Sequence, residues 1–212
     1  MARSVITVSR TLGAGGEDLA DQLAKELGFR YVDSEIIHAA AEQAGVSEAE
    51  IAAVEKRQGL LERILGRLST GGMVAGPMIE PPEFTPSVAE GYQQLIIDVV
   101  RETASAGEVV LVAHGASMAL GARPGVVRVL VTAPADVRVS RLATSEGISS
   151  KDAEKRVSES DSARAQYFQR FFRIDRELPT HYDLVVNTES IGIETAAQAV
   201  LAIARGRELA AV

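Results

Sequence analysis

The sequence predicts an α/β protein in which a mainly parallel sheet of about five strands lies between two layers of helices. Short valine-rich runs alternate with longer segments of helical periodicity, and the runs are apolar at consecutive positions. Consecutive apolar positions are typical of a sheet that is covered on both faces, and strands that alternate with helices form parallel sheets. The predicted strands are Ser4–Val8, Arg30–Val32, Val109–Ala113, Val126–Val131 and Leu184–Val186.

The first predicted helix follows the first strand closely. Leu19, Leu23 and Leu27 recur every four residues and form one apolar face, and Gly28 stands where a helix C-cap is expected. The other helical signals are the apolar stripes of Val88–Ala106 and Gly192–Arg205 and the capping boxes Ser47–Glu50 and Ser149–Asp152.

The composition indicates one soluble domain, residues 1–212. Apolar residues make up 46% of the chain, and 29 acidic against 22 basic side chains give a net charge of −7. The lack of cysteine excludes a disulfide framework, a thiolate metal site and a cysteine nucleophile. The acidic balance argues against nucleic-acid partners, and no apolar run is long enough to span a membrane, so we expect a cytoplasmic protein.

Residues 66–86 depart from this pattern, because they hold four of the seven prolines and four glycines. A continuous helix or a central strand does not tolerate that composition. The segment is predicted to be a surface loop. The alternative is a flap over an acceptor site, or a contact with a second subunit in a homodimer.

The segment Val5–Leu27 combines a strand, a glycine-rich turn and an amphipathic helix. The turn, residues 11–16 and called the glycine turn below, contains Gly13, Gly15 and Gly16. Glycine lets backbone N–H groups approach a ligand closely, and the start of a helix adds partial positive charge. The segment therefore predicts a phosphate-binding site.

Two motifs compete for the glycine turn. The dinucleotide fingerprint GxGxxG fits the first two glycines and would use Asp33 at a ribose, but its third glycine falls on Asp18. The P-loop motif GxxxxGK[ST] places Arg10 at its first glycine, Gly16 at its lysine and Glu17 at its hydroxyl. The motifs alone leave both readings open.

Four segments, which together span nearly the full length of the chain, resemble a known family and occur in the order found there. They are ITVSRTLGAGGEDLADQLAKELGFRYVDSEII, EVVLVAHGAS, RVLVTAPADVRVSRLATSEGISSKDAEKRVSESDSARAQYF and YDLVVNTESIGIE. These segments resemble the cytidylate kinase-like family of P-loop proteins, relatives of the nucleoside monophosphate kinases. The glycine loop of that family also follows Ser-Arg and lacks the P-loop lysine. The resemblance implies a P-loop kinase fold of three α/β/α layers with a helical lid, and ATP with Mg²⁺ as the phosphoryl donor.

The resemblance implies that the donor nucleotide binds at the glycine turn and after the last strand. The residues assigned to it are Gly13, Ala14, Gly15, Gly16, Glu17, Asp18 and, at the donor base, Asn187 and Thr188. Arg10 enters the same turn, and its guanidinium would replace the missing lysine as a bidentate phosphate ligand. A structural ion pair is the alternative role for Arg10.

The acceptor is expected at the C-terminal edge of the sheet, where ligands of open α/β folds bind. By the resemblance, Asp33 and His114 would bind it, and Asp18 and Asp33 would hold Mg²⁺. An N-cap is the alternative role for Asp33. His114 stands where relatives commonly have Gly-Arg-Gly, and the usual Walker B carboxylate is missing from the end of this strand.

Residues 138–176, the lid segment, carry a net charge of +3 in a chain of −7. In the relatives the arginines of this region close over the transferring phosphoryl group and exclude water. The candidates for that charge clamp are Arg138, Arg156 and Arg164. Asp161 and Arg164 share a helix face. The aromatic residues Tyr167, Phe168, Phe171 and Phe172 are predicted to pack the lid onto the body.

Two functions follow. The first is an ATP-dependent phosphotransferase that moves the γ-phosphoryl group to a small acceptor such as CMP or dCMP. The second is a non-catalytic nucleotide-binding module with a degenerate P-loop that acts on a partner. Asp18 disfavours a third, a nicotinamide-dependent oxidoreductase.

Overall fold

Within the part of the chain that the structure describes, five parallel strands form one sheet in the order β2-β3-β1-β4-β5. The computed structural model describes residues 4–33, 97–113 and 115–210. The strands are β1 (Val5–Arg10), β2 (Arg30–Val32), β3 (Val109–Val112), β4 (Val126–Thr132) and β5 (Leu184–Asn187). The helices are α1 (Gly16–Leu27), α2 (residues 97–105), α3 (Ala116–Leu120), α4 (Ala135–Glu146), α5 (Ser150–Phe172) and α6 (Ile193–Ala210), with a 3₁₀ turn at Pro179–His181.

Helices cover both faces of this sheet, as the apolar strands predict. On one face Ile6 packs with Leu23 of α1 and Leu201 of α6. On the other face Val5 packs with Val99 of α2 and with residues of α3. The three-layer α/β/α architecture is therefore confirmed. None of the described helices has the length and apolar character that a bilayer crossing requires.

The chain changes direction across the sheet at the neighbouring strands β1 and β3. From β1 it passes through α1, on one face, to β2, and from β3 it passes through α3, on the other face, to β4. Ligands of open α/β sheets bind at the carboxyl ends of such a strand pair. The glycine turn follows β1 at this point, so the fold puts it where a ligand is expected.

β1 reaches two residues beyond the predicted end at Val8. Ser9 and Arg10 continue the parallel register with Leu130 and Val131 of β4, and both are buried although they are polar. The apolar pattern could not mark them as strand for that reason. The glycine turn therefore starts directly from a buried strand end.

Two helix-boundary predictions are confirmed. Gly28 ends α1 with a φ of 68°, and its N–H donates to the carbonyl of Ala24. The hydroxyl of Ser149 caps α5 by accepting a 3.1 Å hydrogen bond from the N–H of Asp152. The Asp152 carboxylate accepts from the same hydroxyl at 2.6 Å, so only the Ser149 half of the predicted capping box forms. The predictions for residues 66–86, for Ser47–Glu50 and for His114 concern residues outside the described ranges.

The lid segment contains most of α4 and all of α5, and the two helices pack against each other. Leu142 of α4 joins Ala153 and Val157 of α5 around Leu12 of the glycine turn. This small apolar cluster attaches the helix pair to the turn.

Candidate functional site

The glycine turn has the backbone of an anion cradle. Gly13 and Gly15 both have a φ of 78°, in the left-handed region that favours glycine, and Gly16 begins α1. The N–H groups of residues 13 and 15–18 donate no hydrogen bond to any residue that the structure describes. Unpaired N–H groups at a helix start, together with the helix dipole, are suited to bind phosphate.

Close packing also requires glycine at positions 13 and 16, whereas at position 15 the left-handed φ favours it. A Cβ on Gly13 would lie 2.8 Å from the carbonyl oxygen of Arg138, and one on Gly15 would lie 2.8 Å from Cδ1 of Ile193. A Cβ on Gly16 would lie 2.5 Å from Cβ of Arg10. The turn is thus held between the start of α1, α4 and the start of α6.

Arg10 fills the space beside the residue that aligns with the P-loop lysine. Its aliphatic stem packs on Gly16, only 6% of the residue is exposed, and its Nε forms an ion pair with Glu17. The ion pair expected as the alternative role of Arg10 is therefore present. A guanidinium nevertheless lies at the turn, where a ligand phosphate could exchange with the Glu17 carboxylate.

Asp33 directly follows β2 and lies close enough to this ion pair to feel its charges. Burial, followed by the negative charge of Glu17, raises the pKa of Asp33, while the charge of Arg10 and a hydrogen bond from Tyr31 oppose the shift. Burial and the nearby carboxylates, Asp33 first, raise the pKa of Tyr31 to about 12. Asp33 and Glu17 therefore share the field of one guanidinium, and the site has carboxylate charge left over.

Arg138, a clamp candidate, lies under the turn. It is buried, and its Nη1 and Nη2 donate to the two carboxylate oxygens of Asp161 on α5 at 3.0 and 2.7 Å. Its Nε donates to the carbonyl of Ala133 at 3.0 Å, and Nη1 also reaches the carbonyl of Leu12 at 3.3 Å. Asp161 thus pairs with Arg138, rather than with its helix neighbour Arg164.

Arg164 of α5, the second candidate, is also buried. Its Nε and Nη2 donate to Glu177 at 2.8 and 2.6 Å. Its Nη1 donates to the carbonyl of Arg10 at 2.8 Å and its Nη2 to Oγ of Ser9 at 2.7 Å. The hydroxyl of Tyr182 also donates to Glu177. Arg164 is therefore fixed to the end of β1.

Arg156, the third candidate, pairs with Glu146 at the C-terminal end of α4. Arg138 lies in the first turn of the same helix, beside the glycine turn. The structure therefore brings two of the three candidate arginines to the glycine turn and places the third at the opposite end of α4.

Thr188 follows β5 and is 2% exposed. Its hydroxyl donates to the carbonyl of Ala14 at 2.8 Å and accepts from Nη1 of Arg141 at 2.8 Å, while Nη2 of Arg141 donates to the Thr188 carbonyl at 2.7 Å. Asn187 is exposed, and its side-chain oxygen accepts from the N–H of Glu189. Thr188 thus contacts the turn itself, and Asn187 faces solvent beside it.

The C-terminal end of β3 is covered by aromatic residues. A Cβ on Gly115 would lie 2.8 Å from Cζ of Phe172 and 2.9 Å from the hydroxyl oxygen of Tyr167. Phe168 is buried and lies in edge contact with the ring of Tyr167. These residues pack α5 onto the end of the sheet, as the sequence predicts.

Several contacts of the site were missed by sequence reasoning. Arg141 lies one helix turn after Arg138, and this spacing is a signal that both point toward the same end of the sheet. Glu177 lies one residue beyond the predicted lid segment. Tyr182 reaches Glu177, and Ser9 reaches Arg164, only through the fold. No local pattern marks these three residues.

A divalent metal would find few protein ligands. Among residues 4–33, 97–113 and 115–210, no three histidine or acidic side chains are grouped as a metal site. Mg²⁺ commonly takes only one or two carboxylates and completes its shell with phosphate oxygens and water. Asp18 is exposed at the start of α1, while the charged groups that act on Asp33 are Arg10 and Glu17, so the assignment of Mg²⁺ to Asp18 and Asp33 stays a prediction.

Comparison with proteins of known sequence agrees with this geometry. The profile of the cytidylate kinase-like family matches residues 5–190. The cytidylate kinase of Ignicoccus hospitalis is 29% identical over 93% of this chain and 96% of its own length. The cytidylate kinase of Aeropyrum pernix is 28% identical over 95% of this chain and 99% of its own.

Two solved structures are similar in fold. An uncharacterized protein from Eubacterium ventriosum aligns over 96% of this chain and 99% of its own, with a TM-score of 0.69 and 16% identity. Shikimate kinase from Acinetobacter baumannii, in complex with shikimate, aligns over 97% of this chain and 95% of its own, with a TM-score of 0.51 and 15% identity. The sheet, the glycine turn and the family match together show that this chain belongs to the cytidylate kinase-like family.

Proposed function

We propose that this protein is an ATP-dependent phosphotransferase that moves the γ-phosphoryl group of ATP to a small acceptor, with CMP and dCMP as the first candidates. The observation that carries the proposal is the glycine turn, whose unpaired N–H groups lie beside a buried guanidinium. The family match and the relatives named cytidylate kinase support the choice of reaction and acceptor.

In this proposal the donor phosphates bind the N–H groups of residues 13 and 15–18, and Arg10 replaces the P-loop lysine. Phosphoryl transfer depends mainly on positioning and on cations that neutralise developing charge. Arg10 is held in place by Gly16 and is shielded from water, so its charge acts strongly at short range. Glu17 must give up its ion pair when phosphate binds.

Mg²⁺ would neutralise part of the charge on the donor phosphates, and Asp18 and Asp33 are the residues that would hold it. The surplus of carboxylate charge around Arg10 supports this assignment, because a divalent cation would relieve it. We assign the acceptor to the adjacent crevice between the ends of β1 and β3, with Asp33 and His114 as its side chains.

The donor base is assigned to the segment after β5, where Asn187 is exposed and Arg141 lies over Thr188. A clamp role for Arg138 or Arg164, whose side chains are each only 6% exposed, would require a buried guanidinium to leave its carboxylate partner, which is costly. The Arg156 side chain is more exposed, at 22%, so we retain it as the clamp residue that lid closure would bring in.

A non-catalytic nucleotide-binding module is the alternative. The ion pair between Arg10 and Glu17 favours it, because that pair engages the cation of the glycine turn before any ligand binds. A module of this kind would bind ADP without transferring phosphate.

A coupled assay of ADP formation tests the proposal. Wild type with ATP and Mg²⁺ is screened against nucleoside monophosphates, and ADP binding is measured calorimetrically on the same sample. We expect acceptor-dependent ADP formation that Arg10→Ala reduces by about 100-fold or more. Arg101→Ala, which removes an exposed arginine of α2, is the matched control and should keep wild-type turnover.

Three results would count against this reading. ADP binding without turnover for any acceptor would favour the non-catalytic module. Turnover that survives unchanged in Arg10→Ala would show that Arg10 is not the lysine substitute. Wild type that binds no nucleotide would overturn both functions.

A further inference from the structure

The backbone carbonyl groups of every second residue from the end of β1 into the glycine turn accept hydrogen bonds from side chains of other elements. The pairs are Arg10 O with Arg164 Nη1 (2.8 Å), Leu12 O with Arg138 Nη1 (3.3 Å) and Ala14 O with Thr188 Oγ1 (2.8 Å). The left-handed glycines Gly13 and Gly15 follow the last two of these carbonyls. The donors come from α5, α4 and the segment after β5. Three separate elements therefore hold one continuous stretch of backbone, residues 10–14.

We infer that Arg138, Arg164 and Thr188 are positioning residues that fix these carbonyls to the protein body and so keep the N–H groups of the turn available to an anion. The inference rests on the proposed function, which makes the turn a phosphate site. A peptide group next to glycine can rotate easily, and rotation would present a carbonyl dipole to the phosphate. Donors on the Leu12 and Ala14 carbonyls oppose that rotation, and Arg164 anchors the end of β1 from which the turn starts.

The hydrogen-bond capacity of the two arginines supports this role. A guanidinium has five N–H groups. Arg138 uses four of them on Ala133, Leu12 and Asp161. Arg164 uses at least four on Glu177, Ser9 and the Arg10 carbonyl. Neither side chain can bind a phosphoryl group in bidentate fashion without first giving up its carboxylate partner or a contact that holds the turn.

Thr188 makes the most specific of the three contacts. A hydroxyl has a single proton, and the Ala14 carbonyl at 2.8 Å is a closer acceptor for it than the Thr132 carbonyl at 3.4 Å, while the oxygen accepts from Arg141. The N–H of Thr188 donates to the carbonyl of Thr132 at 2.9 Å, which fixes its backbone to the end of β4. The Thr188 hydroxyl therefore links the Ala14 carbonyl of the turn to the end of β4.

The test removes only this hydroxyl. Thr188→Val keeps the shape of the side chain, Thr188→Ser keeps the hydroxyl, and Thr144→Val makes the same change on the exposed face of α4. Calorimetric titration with pyrophosphate, without acceptor, gives the dissociation constant of each chain. We expect Thr188→Val to raise it roughly 10-fold, and Thr188→Ser and Thr144→Val to stay within about 2-fold of wild type.

Backbone order parameters of residues 13–16, measured by NMR on the unliganded chains, give a second readout that does not depend on any ligand. We expect Thr188→Val to lower them and Thr188→Ser to leave them near wild type. Equal affinity and equal order in Thr188→Val and wild type would overturn the positioning role while leaving the proposed function intact. Wild type that fails to bind pyrophosphate would overturn the proposed function, and this inference with it.

Arg164→Lys separates positioning from a charge clamp. Lysine keeps the positive charge but cannot make the four contacts of the guanidinium. Positioning predicts weaker pyrophosphate binding in the absence of acceptor, by about 10-fold. A clamp that acts only in the transition state predicts lower kcat with unchanged pyrophosphate affinity, and that result would contradict the inference for Arg164.

Discussion

At the scale of single residues, the ionisable side chains beside the glycine turn carry more negative than positive charge before any ligand binds. Arg10 is paired with Glu17, and Asp33 lies in the field of both. A nucleotide adds further negative charge, so the ligand must displace a carboxylate or bring a cation with it. Burial is the main cause of the raised pKa of Asp33, and the charge of Glu17 adds to it.

The first prediction concerns the pH dependence of stability. Because the pKa of Asp33 is raised in the folded chain, the native state binds its proton more tightly than the unfolded state does. Ionised Asp33 therefore costs folding free energy, and the cost grows as the pH rises from the ordinary aspartate range through the raised native value. Asn at this position cannot ionise.

We therefore expect Asp33→Asn to gain in free energy of unfolding, relative to wild type, on going from pH 4 to pH 7. Urea denaturation at the two pH values measures this gain. Asp33→Ala has no ionisable group either, so it should show the same trend from a different baseline. A difference from wild type that is constant or shrinks over this range would contradict the assignment.

At the scale of elements, the glycine turn and the C-cap of α1 offer a matched pair of left-handed glycines. Gly13 has a φ of 78° and would place a Cβ 2.8 Å from the backbone of α4, whereas Gly28 has a φ of 68° and open space around it. Both Gly→Ala changes carry the cost of a left-handed alanine, about 1 to 2 kcal/mol. Only Gly13→Ala adds a backbone clash.

We expect Gly28→Ala to lower the free energy of unfolding by about 1 to 2 kcal/mol and to leave ADP affinity unchanged. Gly13→Ala should lower it by about 3 kcal/mol or more and weaken ADP binding at least 10-fold. Denaturation and calorimetry on the same samples measure both quantities. Equal effects of the two changes would show that the turn is not held tightly against α4.

The ion pair of Arg164 with Glu177 gives the next prediction. Glu177→Ala leaves a buried guanidinium without its carboxylate, which typically costs about 3 to 5 kcal/mol. Glu159→Ala breaks an exposed pair with Lys155 on α5 and should change stability by less than about 1 kcal/mol. Chemical denaturation compares them, and similar small effects would mean that the Arg164 pair does not fasten α5.

Sequence reasoning located the features that are specified by residues close to them in the chain. Gly28, the Ser149 cap and the glycine turn lie within a few residues of what they control, so spacing alone located them. The partners of Arg138 and Arg164 could not be found in this way, because Asp161 and Glu177 meet them only after α4 and α5 pack on the sheet. The charge excess of the lid segment was visible, but its pairing was not.

At the scale of the whole molecule, the strand order explains where the site lies. The connections after β1 and β3 diverge to opposite faces, and this leaves a crevice at their carboxyl ends. The alternation of valine-rich runs with helices predicted the parallel sheet, whereas the order of the strands became known only from the structure. The turn, α4, α5 and the segment after β5 all converge on that crevice.

The central claim is that the glycine turn binds the phosphates of a nucleotide without a P-loop lysine. Calorimetric titration of wild type and Arg10→Ala with ADP at neutral pH tests it most directly. We predict one saturable site in wild type, with an affinity that falls at least 10-fold in Arg10→Ala. Wild type that stays folded and yet releases or absorbs no heat up to millimolar ADP, and likewise with pyrophosphate, would contradict the account.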